Sequence, residues 1–136
     1  MNLLTVDSCV IIASLLDKEP RHQEALDIVK KIRTGIFRAV MPYSVLVEVV
    51  AAVRCRTGSE VLAIEVKKNL KSMRHVSFVI MDHASADEAS RIAAKTGLRG
   101  MDALVVQVAK EFGARLVTFD DDMITKSSSL VTCWGN

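Results

Sequence analysis

The chain has 136 residues, half of them hydrophobic and a quarter charged, with a formal net charge of +2. One domain is expected at this length, burying about 68% of the surface that the unfolded chain exposes, which is enough for a core without disulfides or structural metal. The balance excludes a disordered, collagen-like or low-complexity chain, and the longest stretch free of Lys, Arg, Asp and Glu, Ser127 to Asn136, has ten residues, too short for a transmembrane helix.

Leu3-Leu4-Thr5-Val6 is a short apolar run that stops at Asp7-Ser8, as a buried strand would. Residues 9–16 are apolar and suit a short helix. Pro20 marks the start of another, in which Ala25, Ile28, Val29 and Ile32 have helical spacing up to about Arg33. Ala39-Val40-Met41 reads as a strand ended by Pro42. The segment from Ser44 to Arg56 is helical in character and closed by Gly58. A further helix runs from Glu60 to about Met73, with Leu62, Val66 and Leu70 in register. Val76 to Met81 is rich in β-formers. Residues 84–95 are Ala-rich and helical up to Gly97, and residues 101–112 form a strongly apolar helix ending at Gly113. Arg115 to Phe119 is a fourth strand and Leu130 to Cys133 a candidate fifth. Strands alternating with helices predict an α/β domain with a mostly parallel sheet, and no repeat or linker interrupts it.

Cys9, Cys55 and Cys133 are odd in number, far apart and set among apolar neighbours, so they read as small buried hydrophobes rather than disulfide or zinc ligands. His22, His75 and His83 form no metal-binding pair and read as surface residues. The start of the chain has no basic segment, and Asp7 interrupts its apolar run, which argues against a signal peptide and for the cytoplasm. Charge is segregated. Residues 30–74 carry a local +7, whereas residues 1–29 and 101–125 each carry −3. A basic middle between acidic ends suits a polyanion held beside an acid-lined cation site, although solvated helix faces account for part of it.

Ligands of open parallel sheets bind beyond the carboxyl ends of the strands. Asp7 follows the first strand and Asp120 the fourth; the alternative to a site role is an N-cap of the next helix for Asp7 and a solvated turn for Asp120. Glu48 is the one carboxylate in the apolar run Val45 to Val53. On a helix its neighbours Ser44, Val45, Ala51 and Ala52 are mostly small, which opens a cleft for it unless the face is simply solvated. Asp102 opens a helix, where an acid also complements the helix dipole. Together the four acids suggest a hard-cation site, because clustered carboxylates repel one another unless a divalent ion neutralises them, and paired ions of this kind support phosphodiester cleavage. The chain has no P-loop, G-x-G-x-x-G or G-x-S-x-G motif, which counts against a P-loop nucleotidase, a dinucleotide enzyme or an α/β-hydrolase.

Val6-Asp7-Ser8, Pro42-Tyr43-Ser44-Val45-Leu46-Val47-Glu48-Val49, Met101-Asp102-Ala103-Leu104 and Leu116-Val117-Thr118-Phe119-Asp120-Asp121-Asp122 resemble, in order and approximate spacing, the four motifs of PIN domains, most closely the VapC-type toxin ribonucleases. The resemblance spans almost the whole chain. It implies a single PIN-like domain over residues 1–136, a five-stranded sheet flanked by helices, and RNA cleavage by a Mg²⁺ or Mn²⁺ centre held by Asp7, Glu48, Asp102 and Asp120. It also implies that the Ser8 and Thr118 hydroxyls orient the carboxylates or bound water. Asp120 is the matching position of its acidic run, Asp122 is an alternative contributor through water, and Asp121 is read as solvated. The same resemblance implies a homodimer and a cognate antitoxin that covers the acidic site. Two other readings stay open, a housekeeping RNA-processing nuclease and a non-catalytic α/β interaction module.

With aromatics only 4% of the chain, RNA binding would rest on phosphate contacts more than on base stacking. Arg54 and Arg56 follow Glu48 on one helix and Arg99 precedes Asp102 by three residues, which makes these three the expected RNA-steering cations. Lys67, Lys68, Lys71 and Arg74 are the alternative set.

Overall fold

The sheet order β3-β2-β1-β4 places the first strand in the middle, and every pairing is parallel. The structure, a computed structural model, describes residues 2–135. Its elements in chain order are β1 (Leu3–Val6), α1 (Ser8–Leu15), α2 (His22–Arg33), β2 (Arg38–Pro42), α3 (Tyr43–Thr57), α4 (Glu60–Ser72), β3 (Val76–Val79), α5 (His83–Thr96), α6 (Gly100–Phe112), β4 (Arg115–Val117) and α7 (Asp121–Ser127).

Parallel strands need crossovers, and helices on both faces bury the sheet, which explains why β1 and β2 read as continuous apolar runs rather than as alternations. In β2, Ala39 and Met41 join the main core of Leu4, Val6, Ile11, Ile28 and Leu70. Val40 belongs instead to a smaller cluster with Val108 of α6 and with Ala114. Helices α1, α2 and α4 therefore cover one face while α6, backed by α5, covers the other. Register aligns the strand ends. Val6 lies opposite Val117, so the residues that leave β1 and β4 emerge side by side, and Asp7 N donates to the Val117 carbonyl at 2.9 Å.

The structure departs from the sequence reading in two places. The sheet has four strands rather than five, because Leu130–Cys133 contributes a single parallel bridge, Leu116 with Cys133. Leu116 N donates to the Thr132 carbonyl at 2.9 Å and Trp134 N to the Leu116 carbonyl at 2.8 Å. With β4 only three residues long, there is no ladder for a longer partner to extend. The second departure is α7, since the acidic run after β4 opens a helix rather than a solvated turn. No helix among the described residues is long and apolar enough to cross a membrane.

Candidate metal centre

Asp7 leaves β1 in extended conformation (φ −69°, ψ 152°) and caps α1, its Oδ1 accepting the Ser8 backbone N–H at 2.9 Å. The carboxylate is 6% exposed. Its Oδ2 accepts the Thr118 hydroxyl at 2.8 Å, and the Cys9 thiol lies 3.3 Å from the same oxygen. Thr118 reaches it because β4 is paired in register with β1. The Thr118 oxygen also accepts the Asp120 backbone N–H at 3.1 Å, which turns the chain toward α7. Asp120 then caps α7, its Oδ1 accepting from Asp122 N at 3.0 Å and Met123 N at 3.3 Å. For both strand-end acids, the cap fixes the carboxylate at the carboxyl edge of the sheet.

Glu48 stands on α3 and Asp102 in the first turn of α6, both partly buried. Partial burial raises the Glu48 carboxyl above its ordinary value. The charge of Asp7 adds to that shift and a hydrogen bond with Ser8 opposes it, with smaller contributions from Asp102 and Arg99. Partial burial likewise raises Asp102, helped by Asp7 and Asp120 and opposed by Arg99. The four acids of the sequence reading thus form one electrostatically coupled group, with Asp7 acting on both helix-borne carboxylates. Among the described residues, however, no three His, Cys, Asp or Glu side chains are gathered into a ready-made ligand shell. Of the four, Glu48 and Asp102 line a cleft together with Arg99, Gly100, Met101 and Leu104.

The remaining predicted residues are distributed unevenly. Arg99 is 84% exposed and its Nε lies 3.5 Å from Asp102 Oδ2, beside the carboxylates. Arg56 instead pairs with Glu19 of the α1–α2 connection, and Arg54 lines a groove between α3 and α4. Asp122 is 66% exposed and pairs with Lys126 Nζ at 3.0 Å, and Asp121 is exposed. Ser8 is buried beside Asp7 and Glu48.

Two residues at this edge were not singled out from sequence. Cys9 is only partly buried and, besides packing against the hydrophobic core, is hydrogen-bonded to Asp7, with burial and then the Asp7 charge pushing its thiol up to about 12. Arg21 lays its guanidinium 3.8 Å from the centroid of the Phe119 ring, next to Asp120, while holding Glu24 with two bonds of 2.8 and 2.9 Å. The signal for Cys9 was its place two residues after a strand-end Asp. Nothing in the sequence pointed to the Arg21–Phe119 stack. Of the three cysteines only Cys133 is buried, and Cys55 is exposed. His22 and His75 are half-buried rather than on the surface.

Comparison of solved structures finds the same fold in proteins of low sequence identity. VapC20 of Mycobacterium tuberculosis, described as a toxin that cleaves the sarcin-ricin loop, superposes with a TM-score of 0.74 at 17% identity, over 90% of this chain and 93% of that one. A toxin–antitoxin complex from Klebsiella pneumoniae gives 0.62 at 12% identity, covering 91% and 90%. VapBC2 of Rickettsia felis, solved with a DNA fragment from its promoter, gives 0.64 at 11% identity, covering 96% of each chain. Comparison with curated protein sequences finds no match. The family model of the PIN domain matches residues 4–127, a span that holds all four acids and, apart from Leu3 of β1, every element through α7, and the chain belongs to the PIN domain family.

Proposed function

We propose that this protein is a divalent-cation-dependent endoribonuclease acting as the toxin of a toxin–antitoxin pair. The observation that carries the reading is the coupled group of four carboxylates, drawn from four separate elements to one edge of the sheet, where partial burial and then the charge of Asp7 raise the proton affinity of both Glu48 and Asp102. Oxygen-only donors of this kind suit Mg²⁺ or Mn²⁺, and Asp7, Glu48, Asp102 and Asp120 would hold the ion. When bound, such a cation neutralises the acids and supplies Lewis-acid activation of water and stabilisation of the departing oxygen. The rest is work for the chain itself. Ser8 and Thr118 hold the acids in place, and Arg99, exposed at the cleft, offers a phosphate a cation beside Asp102. Water oxygen bonds to phosphorus, the phosphorus–oxygen bond of the chain breaks, and a proton passes to the departing oxygen.

The toxin assignment rests on the structural neighbours described as toxins or toxin–antitoxin complexes, and with it come an antitoxin partner, a homodimer and a cytoplasmic location. Purified protein incubated with RNA and Mn²⁺ or Mg²⁺ should cleave it, and an Asp7→Asn preparation should not. Cleavage by the variant at an undiminished rate would trace the activity to a contaminant and defeat the proposal. One observation favours a second reading, a non-catalytic interaction module: the carboxylates are not drawn into a closed shell. That reading requires that added cation leave the folded state no more stable.

A further inference from the structure

We propose that Cys9 is a positioning residue for Asp7, its thiol proton holding Oδ2 of that carboxylate in the orientation a cation would meet. The inference rests on the reading of the acidic group as a cation centre and adds to it a residue that acts through Asp7. Its basis is a proton count. The Thr118 hydroxyl has one proton, given to Asp7 Oδ2 at 2.8 Å, while its oxygen accepts the Asp120 N–H at 3.1 Å. The Cys9 sulfur lies 3.3 Å from the same Asp7 oxygen and 3.6 Å from the Thr118 oxygen. With the Thr118 proton already committed, the sulfur is the donor in this trio, and the charged carboxylate is the nearer and stronger acceptor.

Chain geometry makes this placement more than a chance contact. Cys9 is the second residue of α1, and side chains on a helix lean toward its N-terminus, so Cys9 leans back over the Asp7 cap. Its neighbour Val10 is fully buried in the core, whereas Cys9 packs against the edge of that core and turns its sulfur to Asp7 and Thr118. Asp7 is then fixed by three donors, Ser8 N, Thr118 Oγ1 and Cys9 Sγ, all of them neutral. A neutral donor orients a carboxylate without cancelling its charge, whereas a paired Arg or Lys would compete with an incoming cation. Asp102, beside Arg99, is in that competing situation and Asp7 is not.

The test titrates metal-free full-length protein with Mn²⁺, following the free ion by its electron paramagnetic resonance signal, in wild type, Cys9→Ala, Cys9→Val and Cys9→Ser, with metal-free melting recorded alongside. Partners that orient a ligand typically contribute 10–100-fold in metal affinity, and a weak thiol donor belongs at the low end, so Cys9→Ala and Cys9→Val should each bind Mn²⁺ about tenfold more weakly. Cys9→Ser, which keeps a donor, should stay close to wild type. Wild-type affinity in Cys9→Ala and Cys9→Val would overturn the proposal and leave the cation centre standing. Equal weakness in Cys9→Ser and Cys9→Ala, tracking a loss of metal-free melting temperature, would assign Cys9 to packing and also overturn it. If wild type itself binds no Mn²⁺, the centre fails and this inference fails with it.

Discussion

Asp7 ties together several parts of the local structure. It ends the central strand, caps α1, ties β4 to β1 through Thr118, and raises the proton affinity of Glu48 and Asp102. Losing a ligand should cost more than losing one of its supports, so Asp7→Asn should lower cleavage by more than the roughly 10–100-fold typical of supporting partners, measured as the initial rate on RNA in Mn²⁺. A pH dependence follows from the same electrostatics. Glu48 and Asp102 hold protons more tightly in the folded chain than at their ordinary values of 4.5 and 3.8, so the folded state binds more protons than the unfolded state above those values. Stability of the metal-free protein therefore falls as pH rises through that window. Asp102→Asn, which cannot ionise there, should melt higher than wild type at neutral pH and lose its advantage below 3.8, and the sign should reverse when Mn²⁺ is added. Thermal melting across pH checks all three outcomes.

At this scale the sequence showed the four acids, and the family resemblance added Ser8 and Thr118, but the contact of Cys9 with Asp7 was not visible. Asp7 and Asp120 were legible because each follows an apolar run, and Glu48 because it is a single charge among eight apolar residues. The Cys9 contact was not, because it depends on the lean of a helix's first turn and on a register that brings residue 118 next to residue 7. The pairing of Arg56 with Glu19 was hidden for the same reason, since it joins α3 to a connection far away in sequence.

Helix ends set the geometry of the cleft. Gly97 closes α5 in the left-handed region (φ +76°), and the short link that follows delivers Arg99 and Asp102 to the site. A Cβ at Gly97 would meet nothing within 4 Å, so the penalty of Gly97→Ala is conformational, about 1–2 kcal/mol in the denaturation midpoint analysis. Arg99→Ala should weaken RNA binding and reduce the slope of log affinity against log salt by about 0.7, the loss of one phosphate contact to a single strand. Arg56→Ala should change the slope less, because Glu19 already engages that guanidinium. An unchanged slope in Arg99→Ala would move the RNA path to Lys67, Lys68, Lys71 and Arg74. The ends of α3, α5 and α6 were readable from glycines, as Gly58, Gly97 and Gly113 show. Helix α7 was missed because its sequence is acidic rather than apolar. Its readable signals were the Asp120 cap and the spacing of Asp122 and Lys126, a pair that meets on one helix face.

Across the whole molecule, the doubly covered sheet supplies the rigidity and its carboxyl edge carries the acids of the proposed cation centre. Leu4, fully buried in the central strand, is part of the platform on which Asp7 stands, and Leu4→Ala should destabilise the protein by about 2–5 kcal/mol in urea unfolding, a large share of the 5–15 kcal/mol typical of such domains. The parallel α/β class was legible from the alternation of strands and helices. The strand count was not, because one bridge between Leu116 and Cys133 differs from a strand only through hydrogen bonds that the end of the chain makes with a three-residue partner. The central claim is that carboxylates from four elements act as one cation centre. A cation that binds only the folded state must raise the melting temperature, and the rise must depend on each ligand. The most direct measurement is therefore melting temperature against Mn²⁺ concentration for wild type and for Glu48→Ala. The account predicts a concentration-dependent rise in wild type that is lost in Glu48→Ala, whereas a flat response in wild type, or the same rise in both, would contradict it.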